Sequence, residues 1–231
     1  TTGANNTLIN SISGVTTGNN NIHIAPATNI GNTSDTIVLG YLSMNGKAGS
    51  QNVLLGSRNH NVGTTTITDV VSVGYQAGYN AASNQSIFLG ARAGKNFRGG
   101  TYNVILGVDC WNGNVDGNTH SGSFNTYIGG NIAYYDASSS SNNTMIGYGI
   151  KNTNAIAGIG SDITGIGSFL MQENAGLLTG GIFLGKWSGS YQSASNLLVI
   201  TNQKGTTQAT HQSSALDFAS MNATTSAQTR Q

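Results

Sequence analysis

One short phrase recurs along this chain and limits what it can fold into: two or three β-forming residues closed by a glycine. It reads Ile37-Val38-Leu39-Gly40, Val53-Leu54-Leu55-Gly56, Val71-Ser72-Val73-Gly74 and Ile87-Phe88-Leu89-Gly90. It continues as Val104-Ile105-Leu106-Gly107, Tyr127-Ile128-Gly129, Met145-Ile146-Gly147 and Ile182-Phe183-Leu184-Gly185. Degenerate copies stand at Leu8-Ile9-Asn10, Ile22-His23-Ile24-Ala25, Ile166-Gly167 and Leu198-Val199-Ile200. From Gly40 to Gly185, with Gly167 included, the closing glycines are 16, 18, 16, 17, 22, 18, 20 and 18 residues apart. A period of this size marks a stacked-repeat architecture.

A unit this short cannot bury its own apolar face, whereas stacked units can, each pairing with the next at the ~4.8 Å strand spacing. A second element follows several of the glycines, as Tyr75-Gln76-Ala77-Gly78, Ala91-Arg92-Ala93-Gly94 and Lys186-Trp187-Ser188-Gly189. Its second glycine marks a close backbone approach or a positive φ. Asn precedes the strand at Asn52, Asn103, Asn125 and Asn143, a residue suited to left-handed turns and to hydrogen-bonded ladders. Each unit therefore reads as a strand, a glycine corner, a short second strand and a variable turn. The expected fold is all-β: a parallel β-roll or β-solenoid of about twelve coils of 16–18 residues over 1–207, about 55 Å long.

Composition agrees. Only 7% of the 231 residues are charged, against roughly a quarter in an average soluble domain, which disfavours a helical domain with its charged surface. A single proline excludes collagen. The formal net charge of +1 removes the basic face that nucleic-acid binding requires. No apolar run approaches membrane-helix length, so no membrane insertion is expected. The one cysteine, Cys110, forms no intramolecular disulfide and reads as a small buried residue. The flanks of such a roll are edges or apolar strips with few charges to guard them. Other copies of the chain are expected to cover them, most simply as a homotrimer about the long axis. The tail 208–231 breaks the pattern; Ala215, Leu216, Ala219, Ala223 and Ala227 allow a short helix, and an extended, exchanged segment is the alternative.

The phrase resembles the head repeat of YadA-type trimeric autotransporter adhesins, with Asn84-Gln85-Ser86-Ile87-Phe88-Leu89-Gly90-Ala91-Arg92-Ala93-Gly94 carrying the likeness. It is similar also to the Gly/Asn repeats of bacteriophage tail fibres that precede an endosialidase-type intramolecular chaperone. The stretch 196–207 looks like the strand that closes such repeats, and an end at Gln231 matches a fibre tip after chaperone removal. The resemblance spans about residues 20–207. Coils of unequal length favour the phage fibre over a uniform adhesin head. It implies a left-handed, trimeric, extracellular rod, the distal part of a virion tail fibre joined to the rest of that fibre. The implied function is attachment to a bacterial surface receptor, a lipopolysaccharide or capsular glycan. The alternatives are an adhesin head and a polysaccharide depolymerase tailspike.

Insertions into a solenoid are where binding evolves. The longest coil, from Gly107 to Gly129, carries Asp109, Cys110, Trp111, Asp116 and His120, and the next brings Tyr134, Tyr135 and Asp136. Trp111, Tyr134 and Tyr135 lead as glycan contacts, since a flat apolar ring beside hydrogen-bonding groups is what a sugar needs. Packing between coils or protomers is the alternative. Asp109, Asp116, Trp187 and Arg98 complete the candidate receptor-binding set. Glycoside hydrolysis needs two placed carboxylates, one with a raised pKa. Asp109, Asp116, Asp136 and Glu173 are the candidates, but Asp116-Gly117 is a turn signal, so a non-enzymatic, binding-only role is expected. Arg92, Lys95 and Arg98 form a basic cluster. His23, His60, His120 and His211 are too dispersed for a metal site, and neither a metal nor a cofactor is expected.

Overall fold

The structure, a computed structural model, describes residues 3–9, 18–24, 32–44, 48–60, 66–112, 121–133, 140–150, 160–171, 178–190, 192, 195–203, 217–221 and 228–230. All elements among them are strands. In chain order these are β1 (Thr7–Ile9), β2 (Ile22–Ile24), β3 (Thr33–Ser34), β4 (Ile37–Leu39), β5 (Gly49–Ser50) and β6 (Val53–Leu55). Then come β7 (Ile67–Thr68), β8 (Val70–Val73), β9 (Ser86–Leu89), β10 (Val104–Leu106), β11 (Thr126–Gly130) and β12 (Thr144–Tyr148). The last are β13 (Gly160–Ser168), β14 (Leu178–Leu184), β15 (Leu197–Ile200), β16 (Asp217–Met221) and β17 (Gln228–Arg230).

The recurring phrase is the strand of one 14-stranded sheet in the order β1-β2-β4-β6-β8-β9-β10-β11-β12-β13-β14-β15-β16-β17. From β1 to β15 every pairing is parallel and in repeat register, for example Ile37↔Val53↔Val71↔Ile87. A minor sheet, β3-β5-β7, runs just before the main strands of its coils. The result is a β-solenoid. Two expectations change. The segment after each glycine is not a short second strand but a turn, and the short strands precede the main strand instead. In the tail, Asp217–Met221 is a strand lying antiparallel on β15 rather than a helix.

Strand alternation places the middle residue of each phrase inside. The register aligns His23, Val38, Leu54, Ser72, Phe88, Ile105, Tyr127, Met145, Gly165, Phe183 and Val199 in one column, and all are buried. A second buried column, four residues after each closing glycine, includes Met44, His60, Gly78, Gly94, Trp111, Ala133, Met171 and Gly189. The two columns compensate in volume. A Cβ on Gly94 would lie 2.2 Å from the Phe88 ring, and one on Gly189 would lie 2.5 Å from that of Phe183. The second glycine of the repeat is therefore small because a ring occupies the space a side chain would take.

The closing glycines answer a different demand. Gly56 has φ +124°, and a Cβ there would sit 2.5 Å from the carbonyl oxygen of Gly74 in the next coil. Beyond it the corner alternates in sign, with positive φ two and four residues on, as at Arg58 and His60 or Asp109 and Trp111. This turns alternate N–H groups in opposite directions along the rod. Asp109 N–H donates to the Ala91 carbonyl of the preceding coil, and Trp111 N–H to the Ile132 carbonyl of the following one.

The asparagines form the expected ladder, but the left-handed residue is the one before each of them. Gln51, Tyr102, Phe124 and Asn142 have φ of 59°, 59°, 60° and 60°, whereas Asn52, Asn103, Asn125 and Asn143 are buried. Asn125 Nδ2 donates to the Ser140 carbonyl at 2.9 Å, and its Oδ1 accepts the Asn143 N–H at 3.1 Å. Asn143 repeats the pattern with Gly160 and Ile163. One amide thus satisfies both a bend carbonyl and an N–H of the next coil, groups that would otherwise be buried unpaired.

The outer face of the sheet is apolar as well. The row that begins Ile9, Ile24, Leu39 and ends Ile166, Leu184, Ile200 is aliphatic at every register position. The parallel row mixes Ile, Val and Leu with Thr126, Thr144 and Thr164. Ile9, Ile166 and Ile22 are 47%, 45% and 41% exposed in the single chain, forming a long apolar strip of the kind that marks an interaction surface.

Candidate functional site: the two edges of the outer face

Because the strands are parallel, residues at a fixed distance from the closing glycine line up along the rod. Five before it lies the entry edge of the outer face: Asp35, Gln51, Asp69, Gln85, Tyr102, Phe124, Asn142 and Asp162. Each has positive φ and each is exposed. Asn and Asp tolerate that conformation; a bulky ring there is uncommon and marks local strain. Tyr102 and Phe124 nonetheless hold it, 51% and 58% exposed, with their rings stacked at 5.1 Å and 14°. Above them Asn142 Nδ2 donates to Asp162 Oδ1 at 2.9 Å.

Two residues after the glycine lies the exit edge: Leu42, Arg58, Gln76, Arg92, Asp109, Asn131, Gly149, Phe169 and Trp187, all with positive φ. Phe169 and Trp187 stack at 4.8 Å and 17°. Tyr148, half exposed, stands at 86° to Phe169 with centroids 5.8 Å apart, and its hydroxyl accepts from Asn131 Nδ2 at 3.1 Å. The Lys186 ammonium lies 5.9 Å from the centre of the Phe169 ring, within cation–π range. Three rings, one hydroxyl, one amide and one cation are gathered on four successive coils. Flat apolar surface with both donors and a positive charge beside it suits a saccharide carrying hydroxyl and anionic groups.

Of the residues expected at the site, Trp187 joins this cluster. Trp111 does not: it is wholly buried, tilted against Phe97 at 4.5 Å and Tyr127 at 4.8 Å. Its place four residues after Gly107 puts it in the inward column, so it packs between coils and offers no platform to a ligand. Asp109 is held by Arg92 Nε and Nη2 and by Asn112 Nδ2 at 2.6 Å. The Arg92 hydrogen bonds, which outweigh the opposing effect of burial, keep its carboxyl below the usual range. A general acid needs the opposite shift, which removes Asp109 from that role. Arg98 is exposed and lies on neither edge. Tyr134, Tyr135, Asp116, Asp136, Glu173, His120 and His211 lie outside the described residues.

His23 and His60 are buried in the two inward columns, and burial lowers the His23 pKa to about 4. Among the described residues no group of three His, Cys, Asp or Glu side chains could hold a metal ion. Cys110 is buried, its Sγ 3.6 Å from the Tyr127 carbonyl. Burial pushes its thiol pKa well above the ordinary value, so it behaves as a small core side chain. No helix among the described residues is long and apolar enough to cross a membrane. Apart from Trp187, the aromatic residues of the edges, Tyr102, Phe124, Tyr148 and Phe169, carry no sequence signal until the fold fixes their distances from the closing glycine. No protein-family model, curated protein or solved structure matches the chain.

Proposed function

We propose that this chain is the receptor-binding rod of a homotrimeric, extracellular fibre of the phage tail-fibre kind, attaching a virion to a bacterial surface glycan. The observation that carries this reading is the uninterrupted aliphatic outer face from Ile9 to Ile200, with exposed aromatics along its edges. A monomer has no use for such a strip, and cyclic association of identical rods covers it while leaving each receptor surface present once per copy. Tyr148, Phe169, Trp187 and Lys186 form the described part of that receptor surface. Tyr134 and Tyr135, three and four residues after Asn131 in the sequence, remain proposed glycan contacts. Binding is non-covalent and multivalent: weak sites on one stiff rod gain strength through effective concentration. Acidic saccharides of a lipopolysaccharide or capsule match the ring-plus-ammonium chemistry.

The test is retention of purified surface polysaccharide from susceptible bacteria on the immobilised protein, with the sugar's chain length followed in parallel. Intact protein retains the polysaccharide without shortening it. Trp187→Ala and Tyr148→Ala each weaken retention roughly tenfold, the scale of one lost stacking contact of about 1.4 kcal/mol. Unchanged retention in both variants removes the cluster from the site, and release of shorter chains replaces binding by depolymerisation.

A further inference from the structure

The entry edge holds a second pair of exposed rings, which the receptor surface on the exit edge does not use. The strand positions Val71, Ile87, Val104, Thr126, Thr144 and Thr164 pair in register from coil to coil. Two residues before them, six successive coils present Asp69, Gln85, Tyr102, Phe124, Asn142 and Asp162. The two rings stand in the middle of this row, with an amide and then a carboxylate on either side. At ~4.8 Å per coil the row spans about 24 Å along the rod.

Folding alone does not account for these rings. The backbone at both is left-handed, a conformation in which a ring is strained while Asn and Asp, as at Asn142 and Asp162, are at ease. Stacking of one ring on the other returns only part of that cost. Neither ring covers the core, since both are more than half exposed. The base beneath them is fixed. Phe124 N–H donates to the Thr101 carbonyl at 3.1 Å, Thr101 N–H to Ser123 Oγ at 3.0 Å and Ser123 N–H to Ser141 Oγ at 3.0 Å. Two strained, exposed rings on a rigid base are a preorganised surface for a ligand.

We infer that Tyr102 and Phe124, with Gln85 and Asn142 beside them, form a second saccharide site, and that it takes an uncharged sugar unit where the exit edge takes an anionic one. The charges decide this. Every charged residue described on the entry edge is acidic, Asp35, Asp69 and Asp162, and all three are exposed, so an anionic unit is repelled there. The amides and carboxylates instead accept hydrogen bonds from sugar hydroxyls, while the rings meet the apolar part of the sugar. The exit cluster, by contrast, sets the Lys186 ammonium beside its rings. The site rests on the proposed glycan receptor and deepens it: the two edges of one rod read two kinds of sugar unit. The rings stand beside the aliphatic face and not within it, so association through that face does not call on them.

The test is retention of surface polysaccharide from susceptible bacteria on the immobilised full chain, with the polymer intact and after its carboxyl groups are reduced to alcohols. The unaltered protein retains both forms. Tyr102→Ala and Phe124→Ala each weaken retention of the reduced form roughly tenfold, Phe124→Tyr does not, and Lys186→Gln weakens that of the intact form only. If both alanine variants hold the reduced form as well as the unaltered protein does, while Trp187→Ala still weakens the intact form, the second site is overturned and the receptor reading stands. A loss confined to the intact form overturns the preference for an uncharged unit. Failure of the unaltered protein to retain either form overturns both sites. Sedimentation of the two alanine variants gives the last readout: unchanged assembly is expected, and weakened assembly makes the rings a contact between copies and overturns the site.

Discussion

The two faces of the long sheet are built from the same three-residue phrase under opposite constraints. The inward face is varied, with His23, Ser72, Phe88, Tyr127 and Gly165 in one column. The outer face is monotonous, aliphatic in one row at every coil. Variety inside is possible because each inward residue is matched locally, as Phe88 is by Gly94. Uniformity outside has no such local partner to explain it. A face that must be flat over many coils is what one continuous surface, repeated along the rod, requires of its counterpart. Inside, fit is settled coil by coil; outside, it is settled for the whole length at once.

The sharpest way to break this contrast is at the glycine that both faces share. Gly56→Val combines a left-handed φ with a Cβ 2.5 Å from the Gly74 carbonyl oxygen, and is expected to cost about 3 kcal/mol or more. Chemical denaturation followed by circular dichroism measures it; a loss under about 1 kcal/mol contradicts the backbone-contact account. Next, Phe88→Ala should lose about 3–5 kcal/mol. If volume is matched locally, Gly94→Ala costs at least about 1 kcal/mol less in the Phe88→Ala background than alone, a double-mutant coupling. Additive effects would show that the two columns do not compensate.

Asn125→Ala strands the Ser140 carbonyl and the Asn143 N–H, at a cost of about 1–3 kcal/mol. It should be seen equally in monomeric and assembled protein, because both partners are internal. Ile146→Lys tests the outer face: fold stability stays within about 0.5 kcal/mol, while sedimentation shows assembly weakened. The smallest effect is that of pH. The neutral imidazole of His23 is favoured in the fold, its pKa lying near 4 instead of 6.5. The unfolded chain therefore binds more protons between those values, and stability declines as pH falls from about 6.5 toward 4. His23→Leu, which resembles its column neighbours Leu8 and Val38, removes that part of the pH dependence of the melting temperature.

Much of the fold was legible because the closing glycine is an invariant of backbone contact, and its spacing can be counted. Which phrase residue faces inward was not legible, since in most copies all three are apolar, and in Val71-Ser72-Val73 and Ile22-His23-Ile24 the polar residue is the buried one, so alternation cannot choose the inner face. The corner was misread as a strand because its left-handed positions carry Leu42, Arg58, Phe169 and Trp187, types that ordinarily avoid positive φ. Coil-to-coil hydrogen bonds hold them there, and no local pattern announces that. Trp111 looked like a surface aromatic in an insertion, yet its distance of four from Gly107 matches Met44 from Gly40 and Met171 from Gly167.

The alternating corner bonds have a mechanical consequence. Coil boundaries among the described residues are crossed by strand bonds and by corner bonds that run along the rod, some donated upward and others downward, and several also by Asn side-chain bonds. A pull along the axis loads all of them at one boundary together, whereas a sideways pull on a single strand takes them one after another. A rod of this design therefore resists tension far better than peeling, the direction in which a tether anchored at its two ends is strained.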